Sequence, residues 1–258
     1  MKIFVLVKEV PDTYGDRRLD LETGLADRAA GDVVLDEITE RALEVALSYA
    51  DKNEGTEVVA VSMAPEGSTA SIRRALAIGA ASAVHIADEE LVGADLTLTA
   101  EVLAAAIRRG APDLVITGNL STDGAGGVIP AMLAEHLGWP QATALTAVEI
   151  SADRVSGTRA TDAGSQEVSA PLPAVISITE ALPDARFPNF KGIMAAKKKP
   201  LEVLSLADLG VSADPSLAPR TIMTAVSEKP PRAAGVKIVD EGDAAEKLVD
   251  YLVQNRLV

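Results

Sequence analysis

Short apolar runs of strand length alternate along most of the chain with longer segments in which apolar side chains recur every three or four positions. The runs are Ile3 to Val7, Glu57 to Met63, Ala83 to Ile86, Asp113 to Thr117 and Ala174 to Ile178. Between them the spacing predicts helices over Asp36 to Ala50, Ser68 to Gly79, Thr97 to Arg109 and Gly127 to Leu137. Asp36 and Ser68 stand at the starts as N-cap residues, and Arg108 and Arg109 suit the negative end of a helix dipole. Strand and helix periods in strict alternation are the signature of βαβ units, so the expected fold is α/β with a mainly parallel, doubly wound sheet.

Two stretches depart from that rhythm. Ala147 to Ile150, Arg154 to Arg159 and Ser165 to Ala170 are short, alternating and separated by polar turns, which predicts a small antiparallel excursion. After Pro200 the chain carries Pro215, Pro219, Pro230 and Pro231 and few long apolar runs, then an amphipathic helix from about Gly242 to Asn255 with Ala245, Leu248, Val249, Leu252 and Val253 in register. The expected division is an α/β domain over 1–200 and, over 201–258, an extended C-terminal arm and helix that pack on something other than their own core.

Composition narrows the function classes. With 258 residues, 48% of them hydrophobic, the chain can bury a substantial core. A formal net charge of −14 opposes nonspecific contact with a nucleic-acid polyanion, so no nucleic-acid partner is expected. No cysteine is present, which removes disulfide and thiolate chemistry, and the two histidines, His85 and His136, lie far apart in sequence. Asp12, Asp16, Asp20, Asp27 and Asp32 are interspersed with Arg17, Arg18 and Arg28, and read as solvated mixed charge rather than a metal site. The opening run Met1 to Lys8 is too short for a signal sequence or a bilayer span, so a cytoplasmic protein without membrane insertion is expected.

The strand at Leu114 to Thr117 runs into Gly118-Asn119-Leu120-Ser121-Thr122-Asp123-Gly124-Ala125-Gly126-Gly127 and then a helix near Val128 and Ile129. Bare backbone amides and a helix amino terminus at the carboxyl end of a parallel strand are the physical recipe for a phosphate cradle. Ser121 and Thr122 add hydroxyl donors. The segment lacks the lysine of a Walker loop and the spacing of a dinucleotide loop. A purely structural glycine-rich turn stands as the alternative. The ends of the first two strands, at Leu6-Val7-Lys8 and Met63, can wall an adenine-sized slot beside it. No nucleophile paired with a base is recognisable, so no catalytic residues are assigned.

A second segment, Arg186 to Pro200, holds two of the chain's three phenylalanines, Phe187 and Phe190, followed by Ile193, Met194 and the triplet Lys197, Lys198 and Lys199. Large apolar side chains beside a proline, a glycine and three cations read as a docking loop. The alternative is a surface loop whose phenylalanines fold back on the domain.

Several tracts carry a family resemblance. They are Val7 to Thr13, Leu35-Asp36-Glu37-Ile38, Ile72 to Ala80, Gly118 to Pro140, Leu172 to Ser177 and, most closely, Arg186 to Pro200. Over nearly its whole length the chain resembles the beta subunit of electron transfer flavoprotein. The resemblance implies a fold of the adenine nucleotide hydrolase type. It also implies a heterodimer in which an alpha subunit holds the redox-active FAD, while this subunit holds a structural AMP and helps form the FAD environment.

Carried over residue by residue, the implied AMP site comprises Leu6, Val7, Lys8, Asp36, Met63, Gly118, Asn119, Ser121, Thr122, Asp123, Gly124, Gly126, Gly127, Val128 and Ile129. The loop matching Ala181 to Lys199 implies docking of acyl-CoA dehydrogenases or related flavin dehydrogenases through Arg186, Phe187, Phe190, Ile193, Met194, Lys197, Lys198 and Lys199, with Phe190 as the apolar anchor. That is the position of an electron carrier in fatty acid oxidation, without catalytic residues of its own. Two departures are visible. Val33-Val34-Leu35 replaces the Asn-Pro that many relatives carry before the first helix, and Gly126 and Gly127 stand where some relatives are more polar, which leaves phosphate binding to backbone amides. The implied alternatives are a bifurcating complex, with a second FAD in place of AMP and NADH as the reductant, and an adenine-nucleotide sensor or hydrolase.

Overall fold

The computed structural model describes every residue of 1–258 except Asp16, Ala218, Pro219 and Ala233. Asp16 and Pro219, named above, therefore lie outside the described residues. The chain divides into two compact units, Met1–Thr224 and Ala225–Val258.

The first unit is built on a nine-stranded sheet. Its amino-terminal part contains β1 (Lys2–Leu6), β2 (Glu9–Pro11), β3 (Val33–Leu35), α1 (Glu37–Ala50), β4 (Glu57–Met63), α2 (Thr69–Ile78), β5 (Ser82–Ile86), α3 (Leu96–Gly110), β6 (Leu114–Gly118) and α4 (Ile129–Leu137). Then follow β7 (Gln141–Ile150), β8 (Arg154–Thr161), β9 (Gly164–Pro171), β10 (Ala174–Ile178), α5 (Phe190–Ala196), β11 (Leu201–Leu204) and α6 (Leu206–Leu209). The order across the sheet is β11-β5-β4-β1-β6-β10-β7-β8-β9. From β1 the chain winds outward through β4 and β5. It then returns through α3 to β6 on the opposite side of β1. Strand order thus reverses between β1 and β6, and in open α/β sheets that reversal opens a crevice beyond the carboxyl ends of the strands.

Strand residues alternate between two apolar layers because successive side chains of a strand point to opposite faces. Ile3, Val5 and Val7 join Ile38, Leu43 and Leu47 of α1 and Ile72 and Leu76 of α2 in one core. Phe4 and Leu6 join Val102 and Ile107 of α3 and Leu133 of α4 in the other. Each fully buried side chain of this kind contributes roughly 1.5–3 kcal/mol of transfer free energy. With both faces of the central strands covered, those strands read in sequence as nearly continuous apolar runs.

The antiparallel excursion is present as β7, β8 and β9. β7 pairs in parallel with β10, and the other two strands continue from it as an antiparallel meander. At the opposite edge β11 pairs with β5, Leu201 opposite Ala83 through Leu204 opposite Ile86. This differs from the expected end of the domain at 200. Leu204 and Leu206 are buried, and Leu206 packs into the core shared with α3. A run as short as Leu201-Glu202-Val203-Leu204, with a glutamate inside it, gave no strand signal.

Both expected N-cap side chains are diverted. Asp36 and Ser68 stand at the cap positions of α1 and α2, yet neither caps its helix by a side-chain hydrogen bond. Ser68 Oγ donates instead to Glu9 Oε1 at 2.6 Å and Ser71 Oγ to Glu9 Oε2 at 2.6 Å, which satisfies a buried carboxylate. The Asp36 carboxylate turns toward the loop after β6.

Asp95, by contrast, caps α3, accepting from Leu98 N at 2.8 Å on Oδ1 and from Thr221 N at 2.6 Å on Oδ2. Partial burial pushes its carboxyl up, but the amides of Leu98 and Thr221, the Thr97 hydroxyl and the charge of Arg220 outweigh that and lower it to about 2. Stability from a lowered carboxylate is present above its ordinary value of 3.8 and is lost as pH falls toward about 2. Asp95→Ala is expected to cost about 1 kcal/mol, the usual value of a helix cap. Thermal unfolding at neutral pH checks this, and the difference from the parent protein should shrink in acid.

The second unit contains α7 (Ala244–Gln254), close to the amphipathic helix read over 242–255, and none of its helical residues is buried. Among the described residues no helix is long and apolar enough to cross a membrane, and no group of three His, Asp or Glu side chains could hold a metal ion.

Candidate functional site

The crevice between the ends of β1 and β6 is assembled by three segments. β1 ends at Leu6, and Val7 continues it by donating N–H to Val61 O at 2.9 Å, so the strand delivers Lys8 to the rim. β2 and β3 pair antiparallel, Glu9 opposite Leu35, which lays the start of α1 along the segment after β1. Asp36 N then donates to Lys8 O at 2.9 Å. The third segment is the loop after β6, fixed at its start by Asn119 N donating to Ile178 O at 2.8 Å.

Side-chain contacts join these pieces. Lys8 Nζ donates to Asp123 Oδ1 at 2.7 Å and to Ser121 Oγ at 3.3 Å. Asp36 is 1% exposed, and its Oδ2 accepts from Thr122 N at 2.9 Å and from Thr122 Oγ1 at 3.3 Å. Burial raises the Asp36 carboxyl above its ordinary value, and the hydrogen bonds from Thr122 oppose that rise without cancelling it. Burial also pushes Asp123 up, but there the hydrogen bonds from Lys8 and Ser121 and the lysine charge prevail, and its carboxyl is lowered. Two carboxylates in one crevice are thus held in opposite directions by their surroundings.

The loop then exposes backbone. Gly127 has φ +66°, the left-handed region that glycine enters without steric cost. It leads through Val128 into α4, whose amino terminus carries no side-chain cap. The uncapped first turn leaves amides and the positive end of the helix dipole for an outside acceptor. The Ser121 and Thr122 hydroxyls are taken up by the Asp123 and Asp36 carboxylates, so the free amides, with the third N–H of the Lys8 ammonium, are the donor set that suits a small oxyanion such as a phosphate monoester.

Of the residues expected at this site, the hydrogen bonds bring Lys8, Asp36, Ser121, Thr122, Asp123 and Gly124 together. Leu6 and Val7 are buried beneath them, and Met63, half-buried at the end of the adjacent β4, packs on the core below. Gly118 and Asn119 open the loop, while Gly126, Gly127, Val128 and Ile129 close it onto α4. Two further cations reach the crevice from the excursion between β2 and β3. Arg17 donates to Thr122 O, and Arg28 Nη1 donates to Glu9 O at 3.1 Å while its Nη2 lies 3.9 Å from Asp123 Oδ2. From sequence, this region reads as solvated mixed charge. The arginines stood there in plain view, but nothing local showed that the excursion bends back to the crevice.

The residues expected to meet a partner fall into two groups. Phe187 is 88% exposed and Phe190 79%, and Ile193 and Met194 are exposed beside them. Their side chains do not fold back on the domain. Lys197 and Lys198 are exposed as well. Arg186 and Lys199 turn inward. Arg186 Nε and Nη2 donate to the two oxygens of Glu44 at 2.8 Å each, Nη2 also to Asp51 Oδ2 at 2.9 Å, and its backbone N–H to Glu44 Oε2 at 3.0 Å. Lys199 Nζ donates to Leu76 O at 2.8 Å and to Ala80 O at 2.6 Å, and burial lowers its ammonium.

The family of the electron transfer flavoprotein domain matches residues 23–209. Full-length relatives agree: the electron transfer flavoprotein subunit beta of Mycobacterium bovis is 45% identical, with 99% of each chain covered. The chain belongs to the electron transfer flavoprotein family. The subunit beta of Mycobacterium leprae is also 45% identical, with 99% of both chains covered, and that of Syntrophomonas wolfei is 32% identical, with 98% of this chain and 96% of the relative covered. Membership in the electron transfer flavoprotein family places the chain in electron transport as a flavoprotein subunit, and the relatives match its beta subunit along the whole chain. The family match takes in the cradle loop, the phenylalanine segment and the edge strand β11 together.

Proposed function

We propose that the chain is the beta subunit of a heterodimeric electron transfer flavoprotein of the cytoplasm, holding AMP as a structural ligand in the β1–β6 crevice. Its alpha partner carries the redox-active FAD, to whose environment this subunit contributes. The segment around Phe187 and Phe190 docks acyl-CoA dehydrogenases or related flavin dehydrogenases, which pass electrons to that FAD. The observation that carries the reading is the convergence of Lys8, Ser121, Thr122 and the uncapped start of α4 at the point where strand order reverses.

In this reading, Lys8, Arg28 and the loop amides hold the phosphate, and the ends of β1 and β4 flank the base. AMP, when bound, supplies a fixed anion and an aromatic plate to the scaffold and takes no part in electron transfer. The chain's own residues bind and orient, and no bond-making step is assigned to them.

Extraction of ligands from the heterodimer, purified with its alpha partner, tests the assignment. One AMP and one FAD per dimer are expected. Two FAD and no AMP would replace this reading with the bifurcating one, and ATP turnover by the chain without a partner would replace it with that of a nucleotide hydrolase.

A further inference from the structure

The segment that displays Phe187, Phe190, Ile193 and Met194 is tied down at both ends. Large exposed apolar side chains on a free loop would collapse onto the nearest apolar surface, so something must hold these four outward. At the amino-terminal end Arg186 grips Glu44 of α1 through two side-chain bonds and a backbone N–H. Burial pushes the Glu44 carboxyl up, but the bonds from Arg186 outweigh it and the carboxyl is lowered, so the pair is charged at neutral pH.

At the other end the support is the carboxyl terminus of α2. That helix has no basic residue in its last turn, so its terminal carbonyls lack the cation that usually complements them. Lys199 supplies it from a distant part of the chain. Its Nζ donates to Leu76 O and Ala80 O, with Gly79 O at 3.4 Å. Arg73 of α2 reciprocates, Nη1 donating to Ala196 O at 2.8 Å at the end of α5, and Ala196 itself is buried in the core. α5 lies so close on α2 that a Cβ at Gly192 would stand 2.6 Å from Ala77 O. Asn189 caps α5 by accepting from Gly192 N at 2.8 Å.

We propose that Lys199, with Arg73 and Arg186, is a positioning residue: it locks the Phe187–Met194 display onto α2 in the form that meets the partner, instead of meeting the partner itself. The inference rests on the docking role proposed above for that segment. A surface ordered before encounter loses less conformational freedom on binding, and the gain appears as affinity. Of the three consecutive lysines, Lys197 and Lys198 are left to the solvent and to a partner's charge, while Lys199 fastens the fold.

The test uses the FAD-loaded heterodimer as electron acceptor for a flavin dehydrogenase. Lys199→Met keeps the apolar stem and removes the ammonium. It is expected to raise the apparent KM for the heterodimer about tenfold with kcat changed less than about twofold, and to speed amide hydrogen exchange in 187–196. Arg73→Met removes the tie from the other side and should act in the same direction, while Lys197→Met should leave exchange in 187–196 unaltered. Restoration of KM by Lys199→Arg would support a positioning cation.

A raised KM in Phe190→Ala with parental KM and exchange in Lys199→Met and Arg73→Met would overturn this inference alone. Parental KM in all of these variants would overturn the docking role and the inference with it.

Discussion

Replacing Phe190 by alanine is expected to raise the apparent KM of a dehydrogenase for the FAD-loaded heterodimer by roughly thirtyfold, the equivalent of about 2 kcal/mol. A central aromatic anchor lost from an interface has that size of effect because it empties a pocket on the partner and exposes apolar surface there. Phe190 is the first residue of α5, and its exposed ring is held outward by a helix fastened to α2. Bound FAD and its reduction by dithionite should be unchanged, since in the proposed reading the alpha partner carries the FAD and the exposed ring meets the dehydrogenase. Loss of FAD in this variant would instead make the segment part of the flavin's support. Stopped-flow reduction by the dehydrogenase, with flavin content measured on the same sample, separates the two outcomes.

The second large effect is expected at Gly127. A left-handed φ disfavours most side chains, but Asn and Asp tolerate it better than others, so the pair Gly127→Asp and Gly127→Asn isolates charge from strain. Asp places a carboxylate at the mouth of the cradle. At short range and intermediate dielectric, its repulsion of a phosphate is on the order of 2 kcal/mol, a weakening of about thirtyfold. The Asp variant of the heterodimer should therefore lose AMP on dialysis while the Asn variant retains it. Equal AMP content in the two variants would move the phosphate away from this loop.

Sequence alone made much of this legible, and for definite reasons. Central strands covered on both faces are near-continuous apolar runs, so β1, β4, β6 and β10 stood out. The meander announced itself by short alternating segments with polar turns between them. The loop between β6 and α4 was readable because glycines and hydroxyls cluster where a parallel strand ends.

What stayed hidden was set by contacts across long stretches of chain. β2 and β3 are three-residue strands, too short for periodicity, yet their pairing brings Asp36 to Lys8. Asp36 and Ser68 have the residue types of N-caps, and tertiary partners, Thr122 and Glu9, claimed their side chains instead. Nothing in Lys197-Lys198-Lys199 distinguishes the lysine that turns inward. Its two nearest acceptors, Leu76 and Ala80, lie more than 100 residues earlier, and only the docking of α5 on α2 brings the ammonium to them. Arg17 and Arg28 belong to the same class, basic residues in a polar excursion whose course back to the crevice is a property of the fold.

Amide hydrogen exchange on the heterodimer, stripped of AMP and then reloaded, addresses the central claim most directly. AMP should slow exchange in the peptides covering Leu6 to Lys8 and Gly118 to Met132, with the largest change at the loop that enters α4. Unchanged exchange in both peptides, with protection appearing elsewhere in the complex, would contradict a nucleotide seat between the ends of β1 and β6.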